Sequence, residues 1–455
     1  MDAPLMISVA GIRGIVGASL TLLLIARFFA AFAREAPAGP IVVGRDARIS
    51  GPMVLAAVTA GLSAAGRDVI DIGLATTPTT QIAVEHLGAA GGVILTASHN
   101  PAPWNALKFL SPRGEFLDAA AGQRVRERFE ADRELWQPFD ALGAPRTEDG
   151  ALAWHLERVL GLEDLDLPAI RRRALSVVVD GCASVGGIAV PALLRMLGAD
   201  VTELDCVPNG RFTRELEPLP EHLGALGARV REAGAELGVA LDPDGDRAAF
   251  VDAAGVPLGE EYTVALGVEV ALATRKGPVV TNLSTSRILD AVCERAGVTL
   301  HRSAVGEAHV VAEMRARGAV AGGEGNGGMI LPAAHLGRDG LVAVALVAQG
   351  LAISKGALRA WADRLPRYTM IKEKVERPEA PWERIAGHLK QAFAGHRLDT
   401  ADGLHFSRDE EWLHVRTSGT EPVLRLIAES PSEARTRAML DAAHRALHLA
   451  ASGSE

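Results

Sequence analysis

Three stretches of the chain repeat one order: an apolar strand, a small-residue loop, an amphipathic helix and further apolar runs. The first comprises "GPIVVGRD", "GPMVLAAVTAGLSAAG", "DVIDIG" and "GGVILTASHN". The second comprises "ALSVVVDG", "GIAVPALLRMLGA", "DVTELD" and "ELGVALDPDGD". The third comprises "GPVVTNL", "SRILDAVCERAG", "VTLHRS" and "GAVAGGEGNGG". Near-continuous Val/Ile-rich strands alternating with helices define parallel sheet covered on both faces. The pattern therefore predicts an α/β protein with three similar mixed or parallel-sheet domains. In each unit the last strand runs into a polar loop, and open α/β sheets bind ligands at the carboxyl ends of their strands. Ser98, Asp242 and Glu324 thus fall at corresponding places in three units.

The segment "VERPEAPWERI" (375–385) reads as a linker into a fourth unit, ordered helix, strand, loop, strand, helix. Ser430, Pro431 and Glu433 are expected to serve its last helix as N-cap, first helical residue and capping-box glutamate. The expected domains are 1–152, 153–257, 258–372 and a smaller C-terminal α+β domain, 373–455. The length agrees, since about 100–200 residues per domain gives roughly three or four.

The net charge of −9 argues against a nucleic-acid binder, which shows a basic surplus. It leaves small anionic ligands open. The most apolar early run, "LTLLLIARFFAAFARE", is broken by Arg27 and Arg34, short of the roughly 18 residues that span a bilayer. Met1 and Asp2 give no basic n-region, so no membrane partner is expected. Cys182, Cys206 and Cys293 form no CxxC pair and read as buried thiols in a reducing, cytoplasmic setting.

In "LDPDGDR", Asp242, Asp244 and Asp246 alternate along a short segment after a strand. Three oxygen ligands this close can converge on a hard cation such as Mg²⁺. An EF-hand fails, because its sixth and twelfth positions are Arg247 and Ala253. A solvated acidic turn is the other reading. Arg247 favours the metal, since a cation beside it suits a phosphate. In "VRTSGTEPVLRL" (415–426), Arg416 ends a strand, Ser418, Gly419 and Thr420 form a small polar loop, and Arg425 follows. Hydroxyls, backbone amides and two guanidinium groups there make a phosphate cradle, or else a hairpin with exposed arginines. In "GGEGNGG" (322–328), Glu324 and Asn326 can reach adjacent sugar hydroxyls, or the segment is a plain glycine turn. "GIRGIVG", holding Arg13, is equally open, and neither matches a Walker loop or GxGxxG. Finally, "ILTASHNPAPWNALKF" (94–109) carries Ser98 just past a strand, with Lys108 nearby. Pro101 and Pro103 disfavour an immediate helix, and no G-x-S-x-G elbow is present. Such a serine is a turn residue or, with Lys108 and a nearby cation, a carrier of phosphate.

Together these motifs resemble the α-D-phosphohexomutase family over nearly the whole chain and in the family's order. "TASHNP" resembles its phosphoserine loop, "DPDGDR" its magnesium loop, "GEGNG" its sugar loop and "RTSGTEPVLR" its phosphate loop, and "GIRG" fits near the start. The resemblance implies four domains around a central cleft. It implies a phosphorylated Ser98, with Mg²⁺ held by Asp242, Asp244, Asp246 and the phosphoserine. Arg247 and Lys108 would assist transfer, Arg13 would lie near the phosphoserine, and Glu324 would bind the sugar. Arg416, Ser418, Gly419, Thr420 and Arg425 would bind the distant phosphate. The implied reaction interconverts hexose 6- and 1-phosphates through a bisphosphate, with hexose 1,6-bisphosphate as activator and a sugar phosphate as the partner of a monomer or homodimer.

Ala106, Asn326, Thr417 and Ala10 depart from commoner family residues, and none removes a reactive group. "WNALK", "GEGNGG" and "SGTEP" look most like phosphoglucosamine mutases of bacteria and archaea, with glucose or mannose phosphate as the alternative substrate. Two further readings are an aspartate-nucleophile phosphatase built on "DPDGD" and a catalytically silent sugar-phosphate sensor.

Overall fold

A strand whose every residue is buried has to be covered on both faces, and the chain contains several. Gly91–Leu95 and Leu237–Leu241 are buried at all positions. The computed structural model describes residues 5–8, 11–131, 136–354, 356–417 and 423–452.

The first sheet holds β1 (Leu5–Ser8), β2 (Gly11–Ile15), β3 (Ile41–Arg45), β4 (Val69–Leu74), β5 (Gly91–Leu95), β6 (Trp104–Leu110) and β7 (Pro145–Thr147), in the order β1-β2-β6-β5-β3-β4-β7. Its centre is parallel, β5-β3-β4, and β6 returns antiparallel to β5. The second sheet holds β8 (Ser176–Asp180), β9 (Asp200–Leu204), β10 (Leu237–Leu241) and β11 (Ala248–Asp252). There β10-β8-β9 are parallel and β11 returns antiparallel to β10. The third holds β12 (Val279–Asn282), β13 (Leu300–Ser303), β14 (Ala321–Glu324) and β15 (Gly328–Ile330), with β15 antiparallel to β14 and β12 parallel to β13 and β14.

The three units therefore share more than a parallel core. In each, the polar loop joins the last parallel strand to an antiparallel neighbour. Ser98 lies between β5 and β6, the aspartates between β10 and β11, and Gly325 to Gly327 between β14 and β15. The sequence pattern does not carry this antiparallel return, because a buried strand reads alike in either direction.

Helix Gly340–Ser354 is buried all round through Ala352, as an apolar helix without a polar face must be. One continuous core runs from Leu193 and Val239 of the second unit to Val264, Leu289 and Leu346 of the third. The first unit has its own clusters, in which Phe28, Phe29 and Phe32 of helix Leu22–Glu35 meet Phe109.

The C-terminal sheet holds β16 (Thr369–Glu376), β17 (Arg397–Asp399), β18 (Leu404–Arg408), β19 (Glu411–Thr417) and β20 (Val423–Ser430), all antiparallel in the order β16-β20-β19-β18-β17. It packs on helices Trp382–Ala392 and Glu433–Ser452 around a separate core. Two expectations are corrected here. The supposed linker begins as the end of β16, whose alternating Lys and Glu hid a strand paired along its length with β20. Ser430 does not cap the last helix. It closes β20, its Oγ reaches the Ser432 carbonyl and Thr436, and the helix starts at Glu433.

Candidate active site

Ser98 follows the buried strand β5 in a left-handed conformation, φ +48°. A non-glycine residue held there is strained and needs surroundings that enforce it. They are provided. Thr96 Oγ1 accepts from Ser98 N at 3.0 Å. Arg48, buried to 1% exposure, donates from Nη2 to the carbonyls of Ser98 (2.6 Å) and Asn100 (2.7 Å). Its Nη1 donates to the carbonyls of Pro101 (2.9 Å) and Trp104 (3.0 Å). Asp46 binds Arg48 Nε at 3.1 Å and Thr96 Oγ1 at 2.6 Å, so the guanidinium is fixed from behind. Arg48 thus moulds the whole serine loop. Nothing in "GRDAR" marked it, since its targets are backbone carbonyls about 50 residues away.

The shaped loop aims Ser98 Oγ at Asp242 Oδ2, 3.1 Å distant. Asp242, Asp244 and Asp246 are all fully buried, with ligand oxygens within 4.8 Å of one another. Gly245 makes their turn possible. Its φ is +68°, and a Cβ there would lie 2.8 Å from the Thr76 methyl. Asp244 is tied to the first unit: Lys108 Nζ and Thr77 Oγ1 each donate to its Oδ2 at 2.8 Å, and Thr77 N donates to its carbonyl. Asp246 Oδ2 accepts from Arg338 Nη2 at 2.6 Å. Arg247 Nη1 binds Glu217 at 2.8 Å, while its Nε faces Asp242 and Asp246 at 3.8 and 3.6 Å.

The electrostatics of the trio are lopsided. Burial, and then the charges of Asp246 and Asp244, push the Asp242 carboxyl well above the usual range. Burial also works against Asp244, but the Lys108 charge and hydrogen bond outweigh it and hold that carboxyl well below the usual range. Among the described residues, Asp244 Oδ1, Asp246 Oδ1 and Arg247 Nε are buried without a hydrogen-bond partner. Orphaned oxygens beside a carboxyl that resists ionisation fit a divalent cation, which takes oxygen ligands and removes the repulsion. His99 Nδ1 lies 3.5 Å from Ser98 Oγ. Burial and the neighbouring Arg247 lower this ring to about 4, so it is neutral at pH 7. Arg13, on β2, donates to Asn100 Oδ1 at 3.2 Å and borders the same loop.

At the third unit, Glu324 Oε1 accepts from Asn282 Nδ2 (2.8 Å) and Gly306 N (3.1 Å), and its Oε2 from Arg338 Nη1 (2.9 Å). Asn326 accepts from Arg338 Nη1 at 3.2 Å with its amide oxygen turned that way. In the fourth unit, Arg416 and Arg425 are cross-strand partners, and Lys374 of β16 lies opposite Arg425. This places three cationic side chains in one row across neighbouring strands. The same face carries His414, whose Nδ1 bonds Ser284 Oγ of the third unit at 2.8 Å. Arg416 Nε forms an ion pair with Asp402 Oδ2 at 3.1 Å, and that oxygen accepts a hydrogen bond from Val305 N. Ser418, Gly419 and Thr420 lie outside the described residues.

The structure brings Ser98, Lys108, Arg13, Arg247 and the three aspartates into one centre. Glu324 and Asn326 connect to it through Arg338, and Arg416 and Arg425 stand on a separate basic face. Arg48, Arg338, Glu217 and Glu307 were not legible as site residues, because charged side chains in loops, or at a helix start as Glu307 is, carry no periodic signal.

A multidomain α/β scaffold that gathers a serine, a buried aspartate trio able to hold a cation and basic side chains suits the phosphoryl-transfer class of enzyme. Family models bear this out along the chain: phosphoglucomutase/phosphomannomutase alpha/beta/alpha domain I matches residues 6–136, domain II 155–255, domain III 259–368 and the C-terminal domain 370–446. The chain belongs to the phosphoglucomutase/phosphomannomutase family of phosphohexomutases, isomerases that move phosphate within a sugar phosphate. It is 35% identical over 452 residues to a phosphoglucomutase/phosphomannomutase of Thermococcus kodakarensis, covering 97% of this chain and 98% of that one. It is 35% identical over 439 residues to a probable phosphoglucosamine mutase of Methanopyrus kandleri, covering 95% of each. A crystal structure of a family protein from Burkholderia thailandensis superposes with a TM-score of 0.85 at 27% identity, covering 99% of both chains.

Proposed function

We propose that this chain interconverts glucosamine 6-phosphate and glucosamine 1-phosphate, with Ser98 as the phosphate carrier. The observation that carries the reading is Ser98 Oγ, strained into place 3.1 Å from a buried aspartate trio with unpartnered oxygens. Asp242, Asp244 and Asp246 would hold Mg²⁺, which when bound supplies Lewis-acid neutralisation of phosphate charge.

The residues of the chain do the rest. A phosphate on Ser98 Oγ passes to one sugar oxygen, giving a bisphosphate. The sugar turns around, and its other phosphate returns to Ser98 Oγ. The proton released by the first sugar hydroxyl is restored to the second oxygen, so nothing is consumed. Lys108 and Arg247 border the transferring group and offset its charge, the dominant need in phosphoryl transfer. Arg13 anchors the serine loop through Asn100. Arg416 and Arg425, with Ser418, Gly419 and Thr420, grip the phosphate that does not react. Traces of hexose 1,6-bisphosphate would load Ser98.

Two observations support an amino sugar. The Methanopyrus relative is named a probable phosphoglucosamine mutase. In addition, Glu324 and Glu307 share one guanidinium, Arg338, which Asp246 engages as well. Glu324, in the loop assigned to the sugar, is a carboxylate that an ammonium group complements. Glucose or mannose phosphate is the second reading, favoured by the name of the Thermococcus relative. We place the enzyme in the cytoplasm, consistent with its three free, buried cysteines.

The test is a mutase assay with glucosamine, glucose, mannose and N-acetylglucosamine phosphates, with Mg²⁺ and trace bisphosphate. Turnover should be fastest on glucosamine phosphate. Ser98→Ala should fold normally, retain no phosphate by peptide mass spectrometry and lose turnover. Phosphate mapped to Asp242 or Asp244 instead of Ser98 would establish the aspartate-nucleophile phosphatase.

A further inference from the structure

Arg338 lies at the joint between the aspartate loop and the sugar loop, with its side chain 9% exposed. Its three donor directions go to three carboxylates from three segments. Nη2 takes Asp246 Oδ2 of the β10–β11 loop at 2.6 Å. Nη1 takes Glu324 Oε2 at the end of β14 at 2.9 Å. Nε takes Glu307 Oε2, at the start of helix Glu307–Arg317, at 2.9 Å. Gly328 leaves the room it needs, since a Cβ there would fall 2.3 Å from Arg338 Cδ.

The backbone at Arg338 is fixed as well. Asp339 caps the buried helix Gly340–Ser354 by accepting from Leu341 N and Val342 N. Its other oxygen takes His155 Nε2 at 2.8 Å and His335 Nε2 at 3.1 Å. A guanidinium is a rigid planar fork, so a fixed Arg338 dictates where each carboxylate sits. It also selects which oxygen of Asp246 remains open, Oδ1.

We infer that Arg338 is a positioning residue that holds the cation seat and the sugar seat in one register, so that neither is correctly formed without it. The inference rests on the mutase reading for its sugar half. Its cation half stands on geometry alone.

Arg338→Lys keeps the positive charge but replaces a three-way fork by a single point. Partners outside the ligand set commonly change metal affinity or activity about 10–100-fold. Arg338→Lys should therefore weaken Mn²⁺ binding to the sugar-free protein about tenfold by electron paramagnetic resonance, a shift at the lower end of that range. In turnover it should raise KM for the sugar phosphate and lower kcat together. The circular dichroism should match wild type; if it does not, Arg338→Gln is measured the same way. A purely structural role would leave Mn²⁺ affinity and KM unchanged in a folded variant. Either constant staying within twofold of wild type overturns the inference. Absence of mutase turnover in the wild type refutes the proposed function instead, and the Mn²⁺ measurement still decides the role of Arg338 at the cation seat.

Discussion

Ser98, Cys182 and Ala183 all have positive φ angles without being glycine, +48°, +53° and +49°. Ser184 beside them donates to the Pro243 carbonyl, bracing the aspartate loop from below. Strain of this kind persists only where neighbours over-determine the chain. A second residue stores free energy differently. Glu261, the first residue of helix Glu261–Thr274, accepts from Ser286 N, and burial pushes its carboxyl up to about 8 despite the nearby Lys372. The folded state therefore holds this proton more tightly than the unfolded chain, whose carboxyl ionises near 4.5. The stabilisation is complete below that value and is lost as pH rises towards 8. Glu261→Gln removes the titration. Thermal midpoints of variant and wild type should be close at pH 5, and the variant should be the more stable at pH 8.5. A difference that does not vary with pH would contradict the assignment.

At the scale of the element, the β19–β20 hairpin does what no isolated arginine can. The antiparallel register sets Arg416 against Arg425, and β16 adds Lys374 to the row. Alternation sends Leu413, Val415, Leu424 and Leu426 to the opposite face, where they form the core. A one-residue slip would bury the cations and expose the leucines, so the hydrophobic pattern fixes the basic face. Arg416→Ala should leave the fold intact and raise KM for the sugar phosphate about 10- to 100-fold, the value of about 1.5–3 kcal/mol for a charge-assisted hydrogen bond. Steady-state kinetics check this. An unchanged KM and kcat would remove Arg416 from the phosphate face.

The whole molecule is organised by carboxylates that reach across its units. Thr77, Ser98 and Lys108 of the first unit, the aspartates of the second and Arg338 of the third converge on one buried trio. The second and third units share a core, whereas the fourth has its own and meets the third through polar contacts such as Ser284–His414 and Arg287 N–Glu429. A cation held at the trio would relieve repulsion at the joint of three units. Mg²⁺ should raise the thermal midpoint, with about 2.7 kcal/mol expected at 100 times its dissociation constant. Chelation should reverse the gain. In Asp242→Asn, which relieves part of the repulsion, the Mg²⁺-dependent shift should shrink. Calorimetry with and without the ion checks both, and an equal shift in the variant would separate Mg²⁺ binding from the trio.

The sequence by itself determined the repeated α/β units and the loops that bear the chemistry, because buried strands and turn residues write their periods and compositions locally. The places of Ser98, Asp242, Asp244, Asp246 and Glu324 at strand ends were legible on that basis, while the roles proposed for them, and for Lys108, came from the family resemblance. It did not reveal the antiparallel returns, β16 as a strand, or the ending of β20 at Ser430, since alternating charges and buried runs read alike in several pairings. Only the tertiary structure decided that Arg48 shapes the serine loop and that Arg338 binds Asp246, Glu324 and Glu307 together. Their partners are carbonyls and carboxylates brought together from distant segments, and the energy of a buried guanidinium depends on who surrounds it, which no local pattern records.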